Sequence, residues 1–238
     1  MERKAAFETA NSFVQTYFPT SQAAILGGSV VRGEATATSD LDIIILNEEL
    51  NSAYRESMYF EKWPIEVFVH NQSTIKDFFE IDCKRARPSL PRLVSEGVII
   101  KDNHHIIPSL KSEATKLLRD GPPIWDDKTT QMKRYFLTDL LDDFIGSNIR
   151  AESIFIAGAL GEAIHEFVLR TNGQWIGASK WIVRALKQFD EKFTQEFVQA
   201  FDEFYSHGDK KFIIELTDRV LEQHGGRYFA GFSMGKEI

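Results

Sequence analysis

Cysteine is almost absent from this sequence, where Cys83 is alone among 238 residues. No internal disulfide can form, so we expect a reducing compartment, and the cytoplasm is the simplest one. The first residues are polar and charged, without the apolar core of a signal peptide. Uninterrupted apolar runs are also too short to approach the roughly 20 residues that span a bilayer. We therefore predict a soluble, cytoplasmic protein with no membrane partner.

An excess of basic charge is missing too. The chain has 28 Lys and Arg against 35 Asp and Glu, which leaves a net charge of -7. This balance gives no general electrostatic reason to bind nucleic acid or anionic lipid, whereas it suits a cationic or metal-bound partner. Proline is sparse: seven prolines against nineteen phenylalanines favour packed helices and strands over disorder.

The hydrophobic pattern changes near residue 105. Before it, "QAAILGG" and "DLDIIIL" are typical of buried strands, and "YRESMYFE" and "IEVFVHN" predict two more. The segment "STIKDFFEIDCKRA" predicts a helix with a serine cap. After residue 105 the apolar spacing is helical almost throughout. We predict an α+β fold, with a mixed-sheet domain over 1–105 followed by an all-helical bundle over 106–238.

Several predicted helices have an apolar face at three- and four-residue steps. The expected buried residues are Ala6, Phe7, Ala10, Phe13, Val14 and Phe18 in the first helix, Met132, Phe136, Leu140 and Phe144 in a central one, and Phe155, Leu160, Ile164, Phe167 and Val168 in the next.

Two acids, Asp40 and Asp42, stand at the head of the apolar run that ends at Leu46. Because side chains two residues apart in a strand share a face, both carboxylates project together while Leu41 points into packing. Two carboxylates at such a short separation repel each other unless a cation neutralises them. A hard divalent ion such as Mg²⁺ does so, since it prefers oxygen ligands and keeps positions open for substrate phosphates.

A glycine-rich segment precedes the acids. Gly27 and Gly28 end a predicted strand and let the backbone approach a ligand closely. A short helix predicted to start at Ser29 would direct free N–H groups toward an anion. Ten residues separate Ser29 from Asp40. An anion cradle beside a metal-binding acid pair suits a nucleoside triphosphate with bound Mg²⁺.

A third acid, Glu66, is the single charge in the apolar strand "PIEVFVH". If this strand lies beside Asp40 and Asp42, Glu66 projects onto the same acidic face. It is then a further metal ligand or a general base for an attacking hydroxyl. The alternative is that Glu66 pairs with a basic residue across the sheet.

These features resemble the signature of the polymerase-β-like nucleotidyltransferase superfamily: Gly28-Ser29, ten residues, Asp40-x-Asp42 and a later strand acid. The extended segment "GGSVVRGEATATSDLDI" looks most like the small-molecule branch, the aminoglycoside and lincosamide nucleotidyltransferases, in which a helical C-terminal domain follows the catalytic one. The motifs that carry the resemblance lie within about residues 25 to 70.

The resemblance implies a reaction and roles for the residues. A nucleoside monophosphate, in the simplest case AMP from ATP, passes to a hydroxyl of a small molecule, and pyrophosphate is released. Asp40, Asp42 and Glu66 bind Mg²⁺, and Glu66 activates the acceptor hydroxyl. The implied nucleotide contacts are Gly28, Ser29, Arg32, Ser39 and Lys180, of which Lys180 corresponds to a lysine that reaches the triphosphate from the helical domain.

Alternative interpretations stand beside these. Arg32 is a phosphate contact or the partner of Glu34 on a turn, and Lys180 is a nucleotide contact or a solvated residue at a helix start. Acids on two helix faces are either solvated or attract a cationic acceptor such as an aminoglycoside; they are Asp139, Asp142, Asp143, Glu162 and Glu166. Two other functions stay open: adenylylation of a protein or RNA target, and nucleotide binding without catalysis.

Overall fold

The computed structural model describes residues 3–235, in which a region of mixed strands and helices is followed by helices alone. The first elements are α1 (Ala6–Tyr17), β1 (Ala23–Gly27), β2 (Leu41–Leu46), β3 (Tyr54–Phe60), β4 (Trp63–His70), α2 (Gln72–Lys84), α3 (Ser89–Glu96), β5 (Val98–Asp102) and α4 (Ile107–Asp120). The later helices are α5 (Asp127–Gly146), α6 (Arg150–Thr171), α7 (Trp181–Phe189), α8 (Glu191–His207) and α9 (Lys211–Glu222). The predicted α+β fold is confirmed.

The strands form one mixed sheet in the order β3-β4-β2-β1-β5. β2 and β4 run parallel, and the other neighbouring pairs are antiparallel. β3 and β4 form a hairpin whose loop residues, Glu61 and Lys62, have φ of 45° and 71°. Positive φ at both positions is the backbone that matches the twist of paired strands. This tight turn sets the register in which Ser57 pairs with Glu66.

Both faces of the sheet are covered, which explains the nearly continuous apolar run of β2. On one face, Leu41 and Ile43 pack in a core with Phe13 of α1. On the other face, Ile44 packs in a core that includes residues of α2, α3 and α4. Asp42 lies between Leu41 and Ile43 in the strand and therefore shares the face of Ile44.

The chain divides into two compact units, the first ending at Gly121 and the second beginning at Pro122. This boundary lies later than the division after residue 105 expected from the sequence. The reason is α4, in which Ile107, Leu110 and Ala114 are buried in the core beside α2 and α3. α4 therefore belongs to the first unit.

The cap of α2 differs from the predicted serine. The N-cap is Asn71, whose side chain accepts a hydrogen bond from the backbone N–H of Thr74, while the Thr74 side chain accepts one from the backbone N–H of Asn71. This reciprocal arrangement satisfies two backbone donors at the helix start. Asn71 also donates to the carbonyl oxygen of Leu50 at 3.1 Å, which ties the helix start to the loop after β2.

The buried helix faces were predicted only in part. In α5 the core contains Leu137, Leu141 and Phe144, whereas the predicted Phe136 is 41% exposed. Phe155, expected in the core through α6, is 82% exposed. Other members of the predicted faces are buried, namely Ala10, Phe13, Val14, Leu160, Ile164, Phe167 and Val168, while Phe7 is exposed. Neighbouring apolar residues offer two alternative stripes on one helix, and packing selects between them.

Helices α5 to α9 make up the second unit. The segment after α9 is held on α5 by Arg134, whose guanidinium donates to the carbonyl oxygens of Gly225 and Gly226 at 2.6 Å each. The Tyr135 ring of α5 stacks on Phe232 with centroids 3.8 Å apart. Among the described helices, we find none with the length and apolar character that crossing a membrane requires.

Candidate active site

Three carboxylates meet at the start of two neighbouring parallel strands. β2 and β4 pair with Asp42 opposite Glu66, so these two side chains project on the same face. Asp40 comes just before β2 and joins them. One carboxylate oxygen from each residue lies within 4.8 Å of the others, and all three residues are half-buried. The structure thus brings together the three acids that the sequence pattern selects.

The electrostatics of this acidic triad (Asp40, Asp42 and Glu66) disfavour full ionisation. Burial, followed by the negative charges of Asp40 and Glu66, raises the pKa of Asp42 from 3.8 to about 6. The cations Arg32 and Arg55 act in the opposite direction. Because its carboxylates are partly desolvated and repel one another, the triad would be stabilised by an added cation.

Gly28 makes room for one of these carboxylates. It follows β1 with φ of 81°, and a Cβ at this position would lie 2.0 Å from Oδ2 of Asp42. Only a residue without a side chain fits such a contact, and glycine also adopts this φ without strain. The close approach predicted at Gly28 is therefore made by Asp42 of the site itself.

The segment after Gly28 is a turn over residues 29–33, so the predicted short helix at Ser29 is wrong. The backbone N–H of Glu34 donates to the carbonyl oxygen of Ser29 at 2.9 Å, which closes the turn, and Gly33 has φ of 71°. Positive φ at Gly33 interrupts the right-handed conformation that a helix continuing from Ser29 would need. A helix N-terminus therefore does not contribute to anion binding here.

Two serines connect the ends of the loop between β1 and β2. The Ser29 hydroxyl donates to Oγ of Ser39 at 3.2 Å, and the same Ser39 oxygen accepts from the backbone N–H of Thr36 at 2.8 Å. Ser39 directly precedes Asp40 in the sequence. The serines predicted to contact the nucleotide therefore also hold the loop that leads into the triad.

Arg32 forms two ion pairs. Its Nε donates to Glu34 at 3.2 Å and its Nη1 to Glu96 of α3 at 3.1 Å. The interpretation of Arg32 as the partner of Glu34 is thus confirmed. Its charge still acts on the triad, since it opposes the rise in the pKa of Asp42.

Arg55, which sequence reasoning missed, binds the third acid directly. Its guanidinium donates to Oε1 of Glu66 from the neighbouring edge strand β3, and its Cζ lies 5.1 Å from the ring centroid of Phe68. Glu66 therefore lies with Asp40 and Asp42, and it also has the basic partner across the sheet that the alternative interpretation expected. Alternation along β3 places Arg55 and Ser57 on one face. Only the hairpin register, in which Ser57 pairs with Glu66, shows that this is also the face of Glu66.

The other candidate residues belong to the second unit. Lys180 is exposed and takes the N-cap position of α7. Two of the acids on α5 and α6 have cationic partners: Asp142 lies 3.1 Å from Arg227, and Glu166 lies 2.7 Å from Lys133. Asp139, Asp143 and Glu162 are exposed.

The residues of the triad fit a divalent cation. Within residues 3–235 it is the only group of three acid, histidine or cysteine side chains close enough to share an ion. All its donors are carboxylate oxygens, the ligands that hard cations prefer. The raised pKa of Asp42, caused by burial and then by the charges of Asp40 and Glu66, agrees, because a bound cation would stabilise the ionised form.

One comparison with known proteins, that with protein-family models, agrees with this geometry. Residues 8–90 match the family model of the nucleotidyltransferase domain, a range that contains the whole triad. None of the curated proteins matches the sequence. Among solved structures, the chain is similar to a nucleotidyltransferase-like protein from Exiguobacterium sibiricum, with 10% identity and a TM-score of 0.46 over 91% of this chain and 74% of that one.

The matched domain and the triad within it define the class of protein. The first unit contains a nucleotidyltransferase domain, and the protein is an enzyme of the nucleotidyltransferase class.

Proposed function

We propose that this enzyme uses Mg²⁺ to transfer a nucleoside monophosphate, AMP from ATP, to a hydroxyl group of a small molecule, with release of pyrophosphate. The observation that carries the proposal is the convergence of Asp40, Asp42 and Glu66 inside a nucleotidyltransferase domain. The resemblance of the segment around Gly28 to the small-molecule branch supports this choice of acceptor.

Asp40, Asp42 and Glu66 are the residues that would hold Mg²⁺. A divalent cation bound there supplies positive charge that neutralises the triphosphate and the charge developing at the α-phosphorus. The packing of Asp42 against Gly28 fixes one carboxylate in advance, which reduces the reorganisation that binding requires.

Glu66 is the proposed general base. The acceptor oxygen forms a bond to the α-phosphorus, the bond from that phosphorus to the bridging oxygen breaks, and pyrophosphate leaves. The hydroxyl proton passes to the carboxylate of Glu66. Arg55 orients that carboxylate through Oε1, while the ring of Phe68 supports the guanidinium. Such fixed positioning contributes to the rate because the base is aligned before the reaction begins.

The proposed nucleotide contacts of the first unit are Gly28, Ser29, Arg32 and Ser39. The linked hydroxyls of Ser29 and Ser39 offer polar groups next to the triad. Arg32 can exchange one of its two carboxylate partners for a phosphate oxygen, since Glu34 and Glu96 are each more than a third exposed. Lys180 is the proposed contact from the second unit.

The proposed acceptor is a small molecule rather than a nucleic acid. The net charge of -7 supports this, because a nucleic-acid surface requires clustered basic residues. The exposed acids Asp139, Asp143 and Glu162 suit an acceptor with ammonium groups, of which aminoglycosides are one example.

The test is incubation of the full chain with Mg²⁺, ATP labelled at the α-phosphorus, and a panel of aminoglycosides and lincosamides. We expect label in a small molecule and an equal amount of pyrophosphate. Asp40→Asn, Asp42→Asn and Glu66→Gln should each reduce turnover at least 100-fold. Glu56→Gln is the matched control, since Glu56 is exposed and alternates with Arg55 and Ser57, so its side chain projects from the other face of β3.

Each outcome has a distinct meaning. Label on a protein or on RNA would replace the small-molecule acceptor by a macromolecular one. Binding of ATP without any turnover would make the chain a nucleotide-binding module. Full turnover by Asp42→Asn would show that the acidic triad is not the catalytic site.

A further inference from the structure

A pocket of about 280 Å³ lies within the second unit, between α5 and α6. Its wall contains the rings of Trp125, Phe136 and Phe167, and the polar side chains of Lys133 and Glu166. Ligand pockets are typically apolar, with a few polar groups that orient the bound molecule. The volume is slightly below the roughly 300–1,000 Å³ of sites for drug-sized ligands, so it suits a molecule of one or two rings.

The polar part of the wall is an ion pair. Lys133 Nζ lies 2.7 Å from Glu166 Oε2, and each side chain is about one third exposed. Lys133 Nζ also lies 5.4 Å from the ring centroid of Trp125. The pair is thus partly desolvated and reaches the aromatic wall, so its charges act strongly on any group that enters.

A second cation, Arg170, lies near the same Trp125 ring. Arg170 is 4% exposed, and its Cζ lies 5.4 Å from the ring centroid of Trp125. Its Nη2 donates to the carbonyl oxygen of Pro123, but its buried Nη1 has no hydrogen-bond partner among the described residues. Burial lowers the pKa of Arg170, and the negative charge of Glu166, four residues earlier on α6, acts in the opposite direction.

Two cations therefore lie near one carboxylate, since Glu166 pairs with Lys133 and its charge also acts on Arg170. An anionic ligand can take Lys133 as its partner and leave Glu166 to Arg170, so that every charge is balanced. A cationic ligand would place a third positive charge around a single acid, which is unfavourable in a partly buried site. The acids that flank the pair along these helices are exposed and screened by water, namely Asp126, Asp127, Asp139 and Glu162. The local charge therefore favours an anion.

We infer that the pocket between α5 and α6 binds a small planar aromatic anion, whose ring packs on Trp125, Phe136 and Phe167 and whose carboxylate pairs with Lys133. The inference does not depend on the proposed nucleotidyl transfer. It also assigns Glu166 a different role from that of a contact for a cationic acceptor, namely the counter-charge of the anion-binding cations.

The test measures binding of 2-naphthoate to the full chain by isothermal titration calorimetry, without nucleotide or metal. A ligand of this size should bind with a Kd of about 1 mM or tighter. The cationic analogue 2-naphthylmethylamine and the neutral 2-naphthylmethanol should bind at least tenfold more weakly.

Variants locate the binding. Lys133→Met keeps the aliphatic stem but removes the charge, and should weaken 2-naphthoate at least tenfold. Glu166→Gln removes the competing carboxylate and should tighten binding severalfold, a gain that misfolding cannot produce. Phe136→Ala, at a position 41% exposed, should weaken binding about tenfold. Lys128→Met, at an exposed lysine in the first turn of α5, is the matched control and should leave the Kd unchanged.

Three results would overturn the inference. One is the absence of 2-naphthoate binding up to 5 mM. Another is binding of the amine as tight as that of the carboxylate. The third is a Lys133→Met protein that melts like the parent chain and still binds 2-naphthoate equally well. Transfer of nucleotide is not measured in this experiment, so its outcome is separate from that of the proposed function.

Discussion

Gly28 and Asp42 are in such close contact that the carboxylate of Asp42 occupies the space where any other residue at position 28 would have its Cβ. A Cβ at position 28 would lie only 2.0 Å from Oδ2. The glycine therefore acts on the triad from the protein side, by fixing where one acid lies. A glycine-rich loop beside a nucleotide site is usually discussed for its contact with phosphate. Here the glycine instead leaves space for the carboxylate of Asp42.

Gly28→Ala should consequently damage the site more than the fold. The new methyl group displaces Asp42, so we expect Mn²⁺ binding, measured by calorimetry, to weaken at least tenfold. Gly33→Ala is the matched control, because Gly33 has φ of 71° with no atom within 4 Å of an added Cβ. Both variants carry the strain of alanine at positive φ, of roughly 1 kcal/mol. Equal metal affinity in the two variants would contradict the role of Gly28.

Arg55→Met should tighten divalent metal binding while slowing turnover. Arg55 opposes a cation at the triad because it donates to Glu66 and lowers the pKa of Asp42. Two unit charges about 6 Å apart interact by roughly 1–3 kcal/mol at an effective dielectric constant of 20–40. Loss of this repulsion should lower the Kd for Mn²⁺ about tenfold, whereas loss of the contact that orients Glu66 should reduce kcat.

The control for Arg55 is Arg119→Met, which removes the same charge from an exposed residue of α4 that pairs with the adjacent Asp120. We expect no change in Mn²⁺ affinity there. Weaker metal binding by Arg55→Met would mean that the guanidinium supports the triad instead of competing with the ion.

The acidic triad was predictable because its pattern is local. Alternation places Asp40 and Asp42 on one face whatever the strand pairs with, and a lone charge in a buried strand identifies Glu66. The position of Arg55 was not predictable in this way, since it depends on the β3–β4 register. That register is set by a turn at Glu61 and Lys62, neither of which is the glycine or asparagine typical of such turns.

The incorrect predictions also have physical causes. In the turn over residues 29–33, the positive φ of Gly33 ends the right-handed conformation that the predicted helix needs. In α5, Phe136 with Leu140 and Leu137 with Leu141 form two overlapping pairs of four-residue spacing, and tertiary packing buries the second pair together with Phe144. The first compact unit extends beyond residue 105 because α4 contributes Leu110 to the sheet core, a long-range contact that composition does not reveal.

Stability without metal should increase when Asp42 loses its charge. The folded pKa of Asp42 is about 6, above its ordinary value of 3.8, so between these values the folded state binds more protons than the unfolded state. Its contribution to the free energy of unfolding therefore rises as pH falls through 6 toward 4. At pH 7 with a chelator, Asp42→Asn should be more stable than the parent chain, by at most about 3 kcal/mol.

Urea denaturation at pH 7 and pH 4.5 tests this dependence, and the advantage of Asp42→Asn should shrink at the lower pH. His70, whose pKa burial lowers to about 4, has the opposite dependence, since the unfolded state binds more protons there. It is present in both proteins and cancels in the difference. Saturating Mn²⁺ should stabilise only the parent chain. An advantage that stays constant with pH would contradict the assignment to Asp42.

Lys180→Met should weaken ATP binding without lowering stability. An ammonium group at the N-cap of α7 faces the positive end of the helix dipole, an arrangement that costs about 0.3–1 kcal/mol. A contact with the triphosphate would explain why a lysine stands there, and a charged hydrogen bond of about 1.5–3 kcal/mol predicts at least a tenfold rise in the Kd for ATP.

Lys187→Met is the control, because Lys187 is exposed on the same helix and pairs with Glu191 at 3.3 Å. Calorimetry with ATP and Mg²⁺ should separate the two variants, whereas Mn²⁺ binding in the absence of nucleotide should be the same in both. If Lys180→Met and Lys187→Met bind ATP equally well, Lys180 is a solvated residue at a helix start.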